Sequence, residues 1–169
     1  IKGVVHIVDY NREFVFTEFY RLVFNFETML REYLFASGVN NSNIIEFFKQ
    51  KSDQAEGNSF WKRKHNEFIS GKSKEKLQES LGPLQIFYLS DLLNYYLNLN
   101  MIAEVEMKSI IRIRNKIAHS VDIISQRRDD NAEKLYNFKG LEQFVKDAVT
   151  FFACYEFLEE STQNLKYNY

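Results

Sequence analysis

A chain of 169 residues with a formal net charge of −1 has single-domain size and length enough to bury a core without disulfides. One cysteine excludes an intrachain disulfide and a cysteine-rich metal site, and near-neutral charge excludes bulk electrostatic binding of nucleic acid, so any RNA contact needs a local patch. Sixteen Phe and ten Tyr beside one Pro and six Gly favour long helices with a bulky core over a many-turned β architecture. No apolar run approaches the ~20 residues that span a bilayer, and no charged leader with an apolar core opens the chain, so the expectation is a cytoplasmic protein with no membrane partner. The sequence begins at Ile1 rather than Met, which leaves room for a longer chain upstream.

Residues 1–8 alternate loosely and are expected as a short extended arm. From about Tyr10 the period changes: Val15, Phe19, Leu22, Phe26, Leu30 and Tyr33 recur at three and four, the stripe of a long first helix. Gly38 stops that helix, and Asn40, Asn41, Ser42 and Asn43 offer caps for the next. On its surface Glu27 precedes Arg31 by four, the favoured order for a helical ion pair. Residues 44–51 predict a short helix and residues 52–59 a polar loop.

Phe60-Trp61-Lys62-Arg63-Lys64-His65 then sets aromatics beside a basic run that Lys72, Lys74 and Lys76 extend. Lys62, Arg63 and Lys64 are candidates for an RNA backbone, with Trp61 as a ring on which a base stacks. The same residues also fit an amphipathic helix with Trp61 and Phe68 on its core side. Gly82-Pro83 is the strongest break in the chain. Residues 84–99 are apolar nearly all round and predict a central buried helix, closed by a corner at residues 98–100.

The next helix carries Ile102, Met107, Ile110, Ile111, Ile117 and Ala118 as packing residues and, near its end, Arg112-Ile113-Arg114-Asn115-Lys116-Ile117-Ala118-His119. Three cations, an amide and a histidine within about two turns suit phosphate binding and proton transfer, since an imidazole titrates closest to neutral pH. Asn115 and His119, four apart, share a face if the helix persists, as do Arg112 and His119, seven apart. Arg114 and His119 differ by about 140° and converge only if the helix ends or distorts near Ala118. Residues 120–124 are expected to leave the helix, and a charged loop follows with Arg127 and Arg128. A last helix from about Gly140 to Ser161 is striped by Leu141, Val145, Ala148, Phe152 and Tyr155. Cys154 within it reads as a buried, inert thiol. His6, His65 and His119 show no metal-ligand spacing.

The run from Arg114 to His119, an Arg-Asn start with four residues before a histidine at a helix end, resembles the signature of the HEPN superfamily; Arg112 to His119 fits its looser spacing. The resemblance implies an all-α fold, a compact HEPN-like bundle of about five helices over residues 1–169. It also implies a metal-independent endoribonuclease without cofactors, whose composite site forms in a homodimer. Arg114, Asn115 and His119 would be catalytic, Arg112 an alternative arginine, and Lys116 and Ser120 auxiliary. Glu27 and Arg31 would form a supporting shell from the first helix. RNA is then the substrate, with an antitoxin or regulatory partner in a toxin, phage-defence or CRISPR-linked setting. Some family toxins carry a tyrosine two residues after the histidine, where this chain has Val121, which disfavours modification there. A catalytically silent nucleotide- or partner-binding module would use the same cations for binding without turnover, whereas a purely structural helical interaction domain of a longer chain would be indifferent to Arg114 and His119.

Overall fold

The computed structural model describes residues 2–57, 59–70, 84–118, 125–126, 135–136 and 138–167, with side chains for 14–57, 59–70, 84–118 and 139–165. Among the described residues the regular elements are helices but for one small ribbon: α1 (Lys2–Ala36), α2 (Asn41–Gln54), α3 (Phe60–Ile69), α4 (Leu89–Asn98), α5 (Glu104–Ala118), β1 (Ser125–Gln126), β2 (Leu135–Tyr136) and α6 (Phe138–Tyr167). The two strands pair antiparallel, Ser125 opposite Tyr136 and Gln126 opposite Leu135. The chain is therefore all-α, with six helices among the described residues.

Two compact units divide the fold: residues 1–27 with 103–158, and residues 28–102 with 159–169. In the first unit, aromatic rings join α1 to α6. Phe19 lies 5.3 Å from Phe144 edge-on and 5.7 Å from Phe152, and Phe26 lies 5.6 Å from Phe151. Met107, Ile110, Ile113 and Ile117 of α5 are buried in this unit, each a turn or so apart on one stripe. A fully buried Phe or Ile side chain contributes on the order of 2 kcal/mol, so this face is what holds α5 helical and rigid.

The second unit packs α2, α3 and α4 around a cluster of edge-on aromatics. Phe48 meets Phe68 at 5.2 Å and Phe68 meets Phe87 at 5.1 Å, while Phe47 meets Tyr95 at 5.5 Å. Leu30 and Leu34 of α1, Ile44, Leu84, Leu92 and Leu93 are at most 0% exposed within it.

Local chemistry sets the helix ends. After α1 the Val39 N–H reaches Leu34 O and the Gly38 N–H reaches Phe35 O, both at 2.9 Å. This pairing needs a left-handed residue, and Gly38 takes it with φ +84°. The same two-bond closure ends α4, with Asn100 at φ 57° and bonds from Asn100 N to Leu97 O and from Met101 N to Tyr96 O. Asn40 accepts the Asn43 N–H at 3.1 Å while Asn43 accepts the Asn40 N–H at 2.9 Å, a reciprocal cap that starts α2.

Three expectations from periodicity need correction. Residues 2–8 are helical, not extended: once a helix is nucleated downstream, each further residue adds a hydrogen bond at small entropic cost. The central helix starts at Leu89 rather than at residue 84, because Leu84 takes φ 60° and Arg31 draws the Leu84 and Phe87 carbonyls toward itself at 3.3 and 2.8 Å. On α6 the buried face runs through Phe144, Asp147, Ala148, Phe151 and Leu158, whereas Val145 and Phe152 are 52% and 41% exposed.

Candidate functional site

Helix α5 starts with Glu106 accepting the Ala103 N–H at 2.8 Å, and acids in the first turn suit the positive end of the helix. Its described part runs through Ala118, the residue before His119. His119, Ser120, Val121, Arg127 and Arg128 lie outside the described residues, as do Lys72, Lys74, Lys76 and the Gly82-Pro83 break.

The two arginines of this run stand in different environments. Arg112 grips the Asp147 carboxylate of α6 with Nε at 2.9 Å and Nη2 at 2.6 Å, and its Nη2 also donates to Ser109 Oγ at 3.0 Å. Gln143 Nε2 donates to the same carboxylate at 2.9 Å. Asp147 is 1% exposed. Burial pushes its carboxyl upward, but the hydrogen bonds, led by that from Arg112, outweigh burial and hold it below the ordinary carboxylate range. The hydrogen bond to Asp147 raises the Arg112 guanidinium in turn.

Arg114 points the other way. It is exposed and donates Nη1 to Asn115 Oδ1 at 3.3 Å, and among the described residues it has no carboxylate partner. Two positions along an ideal helix turn by about 200°, so anchoring Arg112 inward faces Arg114 outward. Lys116 leans back over the Phe144 ring, its Nζ 5.5 Å from the centroid, and is half-buried. Of the candidates on α5, Arg114 and Asn115 thus sit together at the surface, while Arg112 and Lys116 attach the helix to α6.

The first-helix candidates fall in separate units. Glu27 is half-buried at the end of the first unit's share of α1. Arg31 belongs to the second unit, where it ties down the turn before α4 through the two carbonyls already named.

The basic run on α3 divides in a similar way. Arg63 is exposed and Lys62 is half-buried. Lys64 is 12% exposed and lies 3.1 Å from Asp91 Oδ1 and 3.2 Å from Oδ2, with Glu67 at 3.5 Å and the Tyr88 ring at 4.9 Å. Burial pushes the fully buried Asp91 carboxyl upward despite Lys64, and Asp91 also accepts the Tyr88 N–H at 3.1 Å. Trp61 packs against Phe60, Phe48 and Phe47 at 5.2, 5.5 and 5.8 Å. Of Lys62, Arg63 and Lys64, Arg63 is the exposed cation.

Cys154 is partly buried, and burial together with the Glu106 charge pushes its thiol up to about 11, so it is protonated at neutral pH. The acceptor that periodicity missed is Asp147. Its signal was present: a carboxylate three residues from Phe144 and four from Phe151, on the face where aromatics recur, requires a cationic partner.

Comparisons with family models, with curated proteins and with solved structures find no match to this chain.

Proposed function

We propose that the end of α5 is the active-site segment of a metal-independent, HEPN-like endoribonuclease with Arg114, Asn115 and His119 as its catalytic residues. The observation that carries this reading is the contrast between the two arginines. Arg112 is bound to a carboxylate, so its charge is compensated, whereas exposed Arg114 has the neutral Asn115 beside it. A guanidinium fork with no carboxylate partner among the described residues keeps its field for a phosphate.

In the proposed reaction the RNA 2′-hydroxyl attacks its own adjacent phosphorus and the P–O5′ bond breaks. The products are a 2′,3′-cyclic phosphate and a free 5′-hydroxyl. The nucleophile is tethered to its target, which supplies the proximity. His119 takes the 2′-hydroxyl proton or protonates the leaving oxygen, a role worth about 10² to 10⁴ in rate. Arg114 stabilises charge on the phosphoryl oxygens and Asn115 orients the imidazole or the phosphate. A second copy of the chain supplies the other proton-transfer group in a composite two-fold site. Arg63 and Lys62 are the candidate backbone contacts on α3. A toxin or defence effector is the setting this chemistry suits.

The test is cleavage of single-stranded RNA in excess EDTA by the wild type and by His119→Ala, with analysis of the product ends. Cyclic phosphate ends that vanish in the variant support the reading. Cleavage of DNA, which lacks the 2′-hydroxyl, or saturable RNA binding without turnover by a confirmed dimer, would overturn it.

A further inference from the structure

The seam between α5 and α6 holds a buried carboxylate that the proposed chemistry does not use. Asp147 is 1% exposed and takes three donated hydrogen bonds from Arg112 and Gln143. One turn further along α5, Lys116 rests on Phe144 of the same α6 face. The two helices therefore grip each other at successive turns immediately beside Arg114 and Asn115.

An apolar pair of similar volume would hold two helices together without desolvating a carboxylate. A two-pronged guanidinium–carboxylate pair does something different: its planar geometry permits one rotation of each helix, where aliphatic contacts tolerate slip. Asp147 meets Arg112 through both Nε and Nη2, while Ser109, one turn earlier on α5, holds the second hydrogen of the same Nη2. These bonds hold the guanidinium in plane, so turning the helix that bears it strains or breaks them. Arg114, about 200° around from Arg112, inherits its outward direction from those bonds.

We infer that Asp147 is a positioning residue for Arg114 and Asn115, acting through Arg112 to set the rotation of the last turns of α5. The catalytic half of this inference rests on the ribonuclease reading; the mechanical half does not.

The experiment combines steady-state cleavage of a short RNA with amide hydrogen exchange on the full chain. Asp147→Asn keeps the volume and removes the charge. It lowers kcat by roughly 10-fold with KM within about twofold, the mark of misplacement rather than lost binding. Exchange at residues 113–118 accelerates by roughly 10-fold, while the amides around Phe151 keep their protection. Asp147→Glu, which returns a carboxylate to the seam, recovers part of both. Should Asp147→Asn not fold, Arg112→Lys removes the planar fork while keeping the charge, and carries the same expected signature.

Unchanged exchange at residues 113–118 would overturn the inference. So would exchange that accelerates evenly through the whole first unit with kcat falling only as the folded fraction falls, since that marks an ordinary stability contact. A wild type that cleaves no RNA, yet shows the local acceleration in the variant, would defeat the ribonuclease reading and leave the role of Asp147 in orienting α5 standing.

Discussion

Arg112 on α5 and Asp147 on α6 form a two-pronged ion pair, Nε to Oδ2 at 2.9 Å and Nη2 to Oδ1 at 2.6 Å, with the acid 1% and the arginine side chain 41% exposed. It separates two arginines that lie two residues apart in the chain: one becomes part of the framework and the other is left at the surface.

That separation predicts unequal stability effects. Arg112→Ala leaves the Asp147 carboxylate buried without its cation and lowers unfolding free energy by about 1–3 kcal/mol, the figure discounted because the guanidinium is partly solvated. Arg114→Ala, at an exposed position, stays within about 0.5 kcal/mol of wild type. Denaturant midpoints at constant slope measure both.

Activity orders the pair the other way. Arg114→Ala loses about 10² to 10³ in kcat, the scale for removing a donor that meets developing charge. Arg114→Lys recovers only part, because an ammonium lacks the planar fork. If activity disappears in Arg112→Ala while Arg114→Ala retains it, with both variants folded, the wider Arg-to-His spacing is the functional one.

Two buried carboxylates respond to pH with opposite sign. The folded Asp147 value lies below its ordinary 3.8, so its contribution is complete above that value and is lost as pH falls through the lower folded one. Asp91 is raised above 3.8 by burial, so its contribution is complete below that value and is lost as pH rises through the folded one. Stability measured from about pH 3 to 7 should therefore lose part of its acid-side decline in Asp147→Asn and part of its decline on raising the pH in Asp91→Asn.

On α3, adjacent cations should report different properties. Arg63→Glu weakens RNA binding and reduces its salt dependence by about one phosphate contact, with stability unchanged. Lys64→Met leaves Asp91 buried without its cation and costs about 3 kcal/mol, and adding Asp91→Asn restores most of that loss. Salt-dependent RNA titrations and thermal unfolding distinguish the two. A Lys64→Met variant of wild-type stability would contradict the assigned pairing.

The closure after α1 offers a purely local check. At Gly38 a methyl group would meet nothing within 4 Å, so only the backbone resists substitution at φ +84°. Gly38→Ala should cost about 1 kcal/mol, read from the shift in thermal midpoint.

The sequence by itself determined the all-α character, the stop at Gly38, a cap for the next helix among Asn40, Asn41, Ser42 and Asn43, the corner at residues 98–100 and a helix beneath the Arg112 to Ala118 run. These features rest on contacts within one or two turns, so the chain encodes them wherever it folds. Only the tertiary structure decided which charges are engaged. Arg112 finds Asp147 35 residues away, Lys64 finds Asp91 27 away, and Arg31 reaches the Leu84 carbonyl 53 away. Periodicity assigns a lone carboxylate to solvent, so it draws the α6 stripe through Val145 and Phe152, whereas the buried face runs through Phe144, Asp147 and Phe151. A charge can occupy a core face when a distant partner compensates its desolvation, and packing alone brings that partner near.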